Sequence, residues 1–582
     1  MAMNLVQDHF RKKAGRRTRL LALVCVLWLG GVVGRLIQLQ VFGHTRAEAR
    51  ILEQNQSTTK IQAPRGTIFD RNGNILARSL PACSIYYMPN PSEPFATRFE
   101  PVRRLQTILD LSGPEMEKIK SQVEKNVRFI WLKLKADPDL AAKVWKPRAG
   151  IGYQEETKRI YPLGRQASQV LGSVNFDGLG TSGIESKYNF ALQGQDGRAF
   201  ILRDAKKREY HYEVLDEPEN GRDLVLTLDE TIQYIAQNEL EKALAATGAA
   251  WGTVLVSHPS TGEILAMATA PAPDHNKGFS PDAAFNHAVQ NALEPGSTFK
   301  IVTAAAAIEN HAASFSDTFD CSEGSISVAG GPIRDHKAFG ILDFPSVIIN
   351  SSNVGTIKIG QRLGPAPFVR MIEAFGFGRK TGIELPSEAT GRFTPADRWS
   401  KRSLASLSIG YEIAVTPLQL LQAVNVIANR GDLIPPRIVK SVEGRRSPKA
   451  GPPHLSVLSA AACEKLIGIL ERVVLEGTGK AALVEGYDIA GKTGTTQKFD
   501  PIKKEYSSTR HIASFVGFVP ADNPILSMVV ILDDPRTEEY YGGQVAAPVF
   551  RAIVKRALRA FGVHPRPRGG LLTAGLPEDH RP

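Results

Sequence analysis

One predominantly apolar run, Leu20 to Phe42, constrains this chain more than any other stretch. As a helix its 23 residues span roughly 35 Å, enough to cross a bilayer. Arg11, Lys12, Lys13, Arg16, Arg17 and Arg19 stand directly before it, and basic residues mark the cytoplasmic flank of a membrane helix. Arg35 interrupts the run near its outer end, where a long side chain can snorkel to water. The run therefore predicts a single-pass anchor with the N-terminus inside and the remaining ~540 residues outside. A cleaved signal peptide is the competing explanation. Its best cleavage pattern, Ala47-Glu48-Ala49, lies far beyond the strongest apolar residues, which favours an uncleaved anchor.

At 582 residues the chain is too long for one domain. Composition shifts divide it into a basic cytoplasmic tail (1–19), the anchor (20–42), a first external region (43–220), a second external domain (221–561) and a Pro-, Gly- and Arg-rich tail (562–582) expected to be disordered. The first external region opens with a polar stalk to about residue 60. Asn72-Gly73 between apolar runs then reads as a hairpin turn, and residues 100–147 read as lysine-rich helix. Asp70 and Arg71 read as a structural ion pair. In the second domain a strand at 224–228, a helix at 230–246, paired strands at 252–257 and 263–268, a long helical stretch past residue 360, strands near 489, 512–519 and 526–532, and a closing helix at 544–561 predict an antiparallel sheet flanked by helices with an all-helical insertion, an α+β fold.

Net charge is +12 but spread along the chain apart from the N-terminal run, and no nucleic-acid motif accompanies it, so no nucleic-acid partner is expected. The four cysteines, Cys25, Cys83, Cys321 and Cys463, have neither metal spacing nor the density of a disulfide scaffold, although a single bridge remains open.

The chemistry concentrates at Glu294-Pro295-Gly296-Ser297-Thr298-Phe299-Lys300, followed by the helix-forming run Ile301 to Glu309. Pro295 and Gly296 break the chain, so Ser297 falls in the first helical turn with Lys300 one turn on, on the same face: a hydroxyl nucleophile beside a candidate base. Phe299 points to the core. A second Ser-x-x-Lys, Ser57 to Lys60, has no apolar helix behind it and reads as chance. Ser351 and Asn353 stand at Ser-x-Asn spacing before another apolar helical run, a pattern that a plain helix cap also produces. Lys492-Thr493-Gly494-Thr495 lies on a β-like run, where an edge strand can hold an exposed Lys and Thr beside a bound chain and Gly494 lets the substrate backbone approach. A second copy, Lys380-Thr381-Gly382, follows Phe375-Gly376-Phe377-Gly378 and reads as a connection.

Each motif alone is weak, but the ordered triple at 297, 351 and 492 resembles the penicillin-binding serine acyl-transferase superfamily. Arg65-Gly66 through Asn72-Gly73, the Glu294-Pro295-Gly296 lead-in, Gly410-Tyr411, Thr416-Pro417-Leu418-Gln419, Tyr541-Gly542-Gly543 and Ala547-Pro548-Val549-Phe550 extend the resemblance from the anchor to about Leu558. More closely, the chain looks like a class B penicillin-binding protein. The Ser351-Ser352-Asn353 form favours the cell-division type, and the lack of wall-binding repeats after Gly562 disfavours the sporulation type.

The resemblance implies an elongated β-rich pedestal of the dimerisation type at 43–220 and a transpeptidase domain at 221–561. It implies a peptidoglycan D,D-transpeptidase that cross-links D-Ala-D-Ala stem peptides in septal wall synthesis and is acylated by β-lactams. Ser297 would be the nucleophile and Lys300 its base, with the amides of Ser297 and Thr495 holding the oxyanion. Ser351 would relay the proton, Asn353 would hold the peptide amide, Lys492 and Thr495 would hold the terminal carboxylate, and Thr493 and Gly494 would also line the substrate. Proximity of Lys492 and partial burial would lower the proton affinity of Lys300. No metal, nucleotide or other cofactor is implied. The resemblance places the chain in the bacterial cytoplasmic membrane with its catalytic domain outside, at the septum, beside a polytopic glycan polymerase and other division proteins. A D,D-carboxypeptidase and a β-lactam-binding hydrolase or sensor on the same fold stay open at this stage.

Overall fold

The computed structural model describes residues 2–38, 40, 56–146, 149–203, 209–277, 285–443, 445–446, 455–500 and 502–565. Most of the expected stalk, Ala47-Glu48-Ala49 and nearly all of the expected disordered tail lie outside these residues. The chain divides into two compact units, Met1–Ala63 with Gln195–Glu219, and Pro64–Gly194 with Asn220–Pro582.

Among the described residues the first unit contains one helix, Ala2–Ile37, in which the basic run and the apolar run are continuous. Its segment Leu20–Ile37 has a mean hydropathy of 2.3, and among the described residues it alone is long and apolar enough to cross a membrane. The unit also contains an antiparallel sheet in which Gly197–Arg203 lies between Gln56–Ile61 and Glu209–Asp216.

The second unit begins with a sheet that gathers distant parts of the chain. Arg445–Arg446, Val439–Val442, Leu224–Leu226, Ile68–Phe69, Ile75–Tyr87 and Ile130–Ala136 follow one another across it, and Ile151–Ile160 pairs with the long strand Ile75–Tyr87. The turn at Asn72-Gly73 is the expected hairpin, with Gly73 at φ +92°. The lysine-rich stretch is not all helix. The helices Phe95–Leu105, Gly113–Glu124 and Pro138–Val144 bracket the strand Ile130–Ala136. That strand buries Ile130, Leu132 and Ala136 and leaves Lys133 and Lys135 half-buried, with Leu134 exposed and interrupting the alternation. Asp70 and Arg71 do not pair with each other. Asp70 accepts the N–H groups of Asn72, Asn74 and Glu230, and Arg71 pairs with Glu263 at 3.2 Å. Both are structural. Glu185 is wholly buried between two arginines, at 2.6 Å from Arg65 and 2.7 Å from Arg159.

The larger part is a five-stranded antiparallel sheet of β1 (Trp251–His258), β2 (Glu263–Ala270), β3 (Ala490–Asp500), β4 (Glu505–Val519) and β5 (Leu526–Asp533), in the order β2-β1-β5-β4-β3. Both faces are covered, so β2 and β5 are buried along their whole length, whereas β3 beyond Thr496 and the first residues of β4 run out into water and are mostly polar. On β5, Met528, Val530 and Leu532 face the helices Glu230–Thr247 and Ala547–Ala560, while Val529 and Ile531 face a core shared with Lys300–Glu309 and Pro417–Ala428. Asp229 starts the first of these helices by accepting the N–H groups of Thr231 and Ile232, and Gly248 ends it at φ +63°. The insertion after Ser297 is not continuous helix. Four short strands, Thr318–Asp320, Ser325–Val328, Gly331–Arg334 and Ile341–Asp343, separate Lys300–Glu309 from the helices Phe344–Ile349, Asn353–Leu363 and Pro365–Ala374. The break comes where His311 and then Gly324, Gly330, Gly331 and Gly340 take positive φ. All four cysteines are free thiols.

Candidate active site

Ser297 lies in a single 3-10 turn, Gly296–Phe299, that leads into the helix Lys300–Glu309. The turn is possible because Gly296 has φ +53° and no side chain: a Cβ there would stand 2.1 Å from Thr496 Oγ1. The Gly296 N–H donates to Gly410 O at 3.0 Å. Phe299 is fully buried against the rings of Phe368 and Phe377, which fixes the turn from below and leaves Ser297 partly exposed.

Lys300 is 0 % exposed. Its Nζ donates to Ser351 O at 2.6 Å and Asn353 Oδ1 at 2.7 Å, with Ser351 Oγ at 3.4 Å. Among the described residues Ser297 Oγ is not one of its partners. Lys492 Nζ approaches the same hydroxyl from β3, at 2.9 Å from Ser351 Oγ and 3.1 Å from Thr493 O. Ser351 is thus held between two amines, in a left-handed backbone conformation at φ +59° that serine rarely adopts. The structure brings Lys300, Ser351, Asn353 and Lys492 into one connected cluster, in the turn beside Ser297.

Burial costs a charged amine its hydration. It pulls Lys300 down from 10.5 to about 7, against the opposing charge of Asp335. It pulls Lys492 well below the usual lysine range, with the charge of Lys300 adding to the effect. The sequence names Lys492 and partial burial as joint causes for Lys300; desolvation is the largest cause.

Two expectations about β3 need correction. As expected, β3 is an edge strand, paired on one side only, with Lys492, Thr493, Gly494 and Thr495 opposite Val516, Phe515, Ser514 and Ala513 of β4. Lys492 is not exposed on it, however. It is 0 % exposed, turned inward beneath Ser351, where hydroxyl and carbonyl oxygens are its partners, and so it cannot present itself to an external carboxylate. The hydroxyls of Thr493 and Thr495 lie on the opposite face of the strand. Thr493 Oγ1 is 2.6 Å from Thr478 Oγ1, and Thr495 Oγ1 accepts the N–H of Gly542 at 3.0 Å. Gly494 is required for internal packing: a Cβ there would meet Ser514 Oγ at 2.3 Å and Thr298 Cγ2 at 2.8 Å. Its missing side chain lets the strand lie against the nucleophile's own turn.

The motifs do not reveal Asp335 and Thr478. Asp335 accepts from Ser352 Oγ at 2.7 Å and from the N–H groups of Asn353 and Val354. No local spacing signals it, because Ser352 already accounts for the helix cap by accepting the Gly355 N–H at 3.0 Å.

A partly exposed serine three residues before a buried, depressed amine is equipped to form and break an acyl bond, and comparison with known proteins points the same way. Residues 252–555 match the family described as penicillin binding protein transpeptidase domain, and residues 60–226 match penicillin-binding protein dimerisation domain. The chain is 32% identical over 565 residues to the "Probable peptidoglycan D,D-transpeptidase PenA" of Neisseria meningitidis, covering 95% of this chain and 94% of that protein. It is 34% identical over 532 residues to "Stage V sporulation protein D" of Bacillus subtilis, covering 86% and 79%. Among solved structures, penicillin-binding protein 3 of Mycobacterium tuberculosis, complexed with aztreonam, superposes with a TM-score of 0.68 at 29% identity, covering 88% of this chain and 98% of that one.

Proposed function

This chain belongs to the class B penicillin-binding proteins and is a peptidoglycan D,D-transpeptidase that binds stem peptides and β-lactams, and from that premise we propose that it acts through an acyl-enzyme on Ser297 in septal wall synthesis. The observation that carries the mechanism is the convergence of two wholly buried amines on Ser351, next to the turn that bears Ser297. With Lys300 at about 7, a large share of it is neutral at physiological pH. Its two N–H groups then satisfy Ser351 O and Asn353 Oδ1, and its lone pair is free to take a hydroxyl proton.

In the first step Ser297 Oγ bonds to the carbonyl carbon between the two terminal D-alanines, and its proton passes to Lys300. The backbone amides of Ser297 and Thr495 hold the oxyanion. As the C–N bond breaks, Ser351 gives its proton to the departing D-alanine nitrogen and regains one from protonated Lys300, whose Nζ is 3.4 Å from its Oγ, which leaves Lys300 neutral again. In the second step an acceptor amine attacks the ester, the Ser297 C–O bond breaks, and the proton shed by the amine restores the hydroxyl. Asn353 positions the peptide amide. Thr493 and Thr495 hold the terminal carboxylate through their hydroxyls. No cofactor enters.

The basic run and apolar helix support a single-pass anchor in the bacterial cytoplasmic membrane, with the catalytic domain on the outer side. The Ser351-Ser352-Asn353 form favours cell division, in the company of a polytopic glycan polymerase and other division proteins. Because a sporulation protein is among the relatives, the septal role has its own test: a fluorescent fusion should concentrate at mid-cell before constriction, and uniform envelope signal would reject division. The chemistry is tested by incubating the full-length protein with a D-Ala-D-Ala stem peptide, with and without an acceptor amine. Cross-linked product and an acyl group mapped to Ser297 are expected. Hydrolysed product alone, unchanged by acceptor, would assign a carboxypeptidase instead.

A further inference from the structure

In the proposed acyl transfer, Thr493 and Thr495 take the terminal carboxylate of the donor peptide and Asn353 takes the amide upstream of the scissile bond. A peptide laid out in that order carries its earlier residues past Asn353, and what stands there is basic. Arg334 O accepts from Asn353 Nδ2 at 2.8 Å, so the strand Gly331–Arg334 ends one hydrogen bond from the amide-binding side chain. Arg334, His336 and Lys337 fall within four residues and all are exposed. The acid among them, Asp335, turns both carboxylate oxygens inward, onto Ser352, Asn353 and Val354. The lip so formed is held in place. Arg402 Nη1 donates to Ala329 O at 3.0 Å and to Gly331 O at 2.9 Å, which ties the hairpin of Ser325–Val328 and Gly331–Arg334 to the start of the helix Ser403–Ser408. Phe339, packed on the core, meets the His336 ring edge-on at 5.0 Å, and Lys337 Nζ lies 5.2 Å from its centroid. His336 is near enough to Lys300 and Lys492 for both charges to act on it, which sets this turn at the mouth of the site. Partial burial holds His336 below the usual histidine range, with Asp335 opposing and Lys337, Lys300 and Lys492 adding, so Arg334 and Lys337 are the cations at neutral pH. Among the described residues neither has a carboxylate within ion-pair distance.

We propose that Arg334 and Lys337 set donor specificity: they receive a free carboxylate on the residues upstream of D-Ala-D-Ala, so the enzyme prefers donor stem peptides whose side carboxyls are not amidated. This rests on the reading of Ser297 as nucleophile and of Asn353 as the residue that holds the peptide amide. Stem peptides carry side carboxyls at two places in that stretch, on the glutamate and on the diamino acid, and each occurs either free or as a carboxamide. A guanidinium meets a carboxylate through two parallel N–H bonds, and an ammonium beside it adds charge. A carboxamide offers one oxygen and no charge, so it loses both contributions.

The experiment measures D-alanine release by the full-length, detergent-solubilised chain from synthetic donor pentapeptides at sub-saturating concentration, where the rate reports kcat/KM. Four donors are compared: both side carboxyls free, the glutamate amidated, the diamino acid amidated, and both amidated. The fully free donor should react about five- to tenfold faster than the doubly amidated one, and a ratio under about twofold would overturn the proposal. The two singly amidated donors identify the carboxylate that is bound, because amidating that one alone removes the preference. In the double variant Arg334→Ala, Lys337→Ala the ratio should fall below about twofold. Any general loss of activity cancels in that ratio, and a preference kept at the wild-type level would place the discrimination elsewhere. If the double variant does not fold, salt decides on the wild type. The ratio should at least halve between about 50 and 500 mM salt, and an unchanged ratio would reject a charge-based lip. Labelling of Ser297 by penicillin, which carries no such side carboxyl, is scored separately. Absent labelling would remove the acyl-enzyme reading, whereas intact labelling with a flat donor ratio would remove only this proposal.

Discussion

The tripeptide Lys-Thr-Gly occurs twice in this chain, and the two copies share nothing but their letters. At 380–382 the lysine is exposed, and the backbone is a turn wrapped around one buried carboxylate. The Thr381 N–H and Oγ1 donate to Glu388 Oε1 at 2.7 and 2.6 Å, and the Gly382 N–H donates to Glu388 Oε2 at 3.2 Å with φ +85°. At 492–494 the backbone is extended on an edge strand, the lysine is wholly buried, and the glycine is required by close packing rather than by a positive φ. In one copy a carboxylate gathers the polar groups and the amine is left in water. In the other the amine is taken out of water and given only hydroxyl and carbonyl partners. Desolvation, which no motif spells out, is what separates the two amines.

The contrast can be broken most severely at the nucleophile that the buried copy serves. Ser297→Ala should abolish covalent labelling by a fluorescent penicillin while the melting temperature holds, and labelling at the wild-type rate would refute the assignment. Lys492→Ala removes a charge-assisted hydrogen bond to Ser351 worth roughly 1.5 to 3 kcal/mol, so stopped-flow acylation should fall by about one to two decades. The wild-type profile comes next. Because Lys300 accepts a proton only when neutral and its value lies at about 7, acylation should rise roughly twentyfold between about pH 5.5 and 7.5, and a flat profile would leave Lys300 without its role. On the other copy, Glu388→Gln should cost about 1 to 2 kcal/mol in chemical denaturation, with acylation within about twofold of wild type. Lys380→Ala should change neither measurement by more than the exposed charge allows, under about twofold in rate. Equal losses from Lys380 and Lys492 would sink the distinction.

The legible parts of this molecule were those whose physics is local. A Pro-Gly break before an alanine-rich run marks the turn at Ser297, Asp229 marks a helix start, and apolar strands bounded by turns mark the central sheet. Depth was not legible. The alternation of Lys492, Thr493 and Gly494 says that neighbours face opposite ways, but not which face is buried, and the outward-facing choice for Lys492 was the wrong one. Strands of three or four residues, such as Thr318–Asp320 and Gly331–Arg334, are too short to display a period, so the insertion reads as continuous helix. Asp335 is invisible for the same kind of reason, since its partners Ser352, Asn353 and Val354 come from beyond the strand Ile341–Asp343 and the helix Phe344–Ile349.

The sheet that starts the second unit sets a schedule for the growing chain. Ile68–Phe69 pairs in parallel with Leu224–Leu226, which pairs in turn with Val439–Val442. A ribosome delivers these strands in that order, so Ile68–Phe69, though joined at once by Ile75–Tyr87, waits for its parallel neighbour until Leu224 is made, and Leu224–Leu226 waits for its second neighbour through Ser297 and the entire insertion. Until Val442 emerges, the row of backbone groups on Leu224–Leu226 has no permanent occupant and remains open to any extended segment that passes. Synthesis that stalls before that point therefore leaves a fragment with an adhesive edge, for chaperones to cover or proteases to clear.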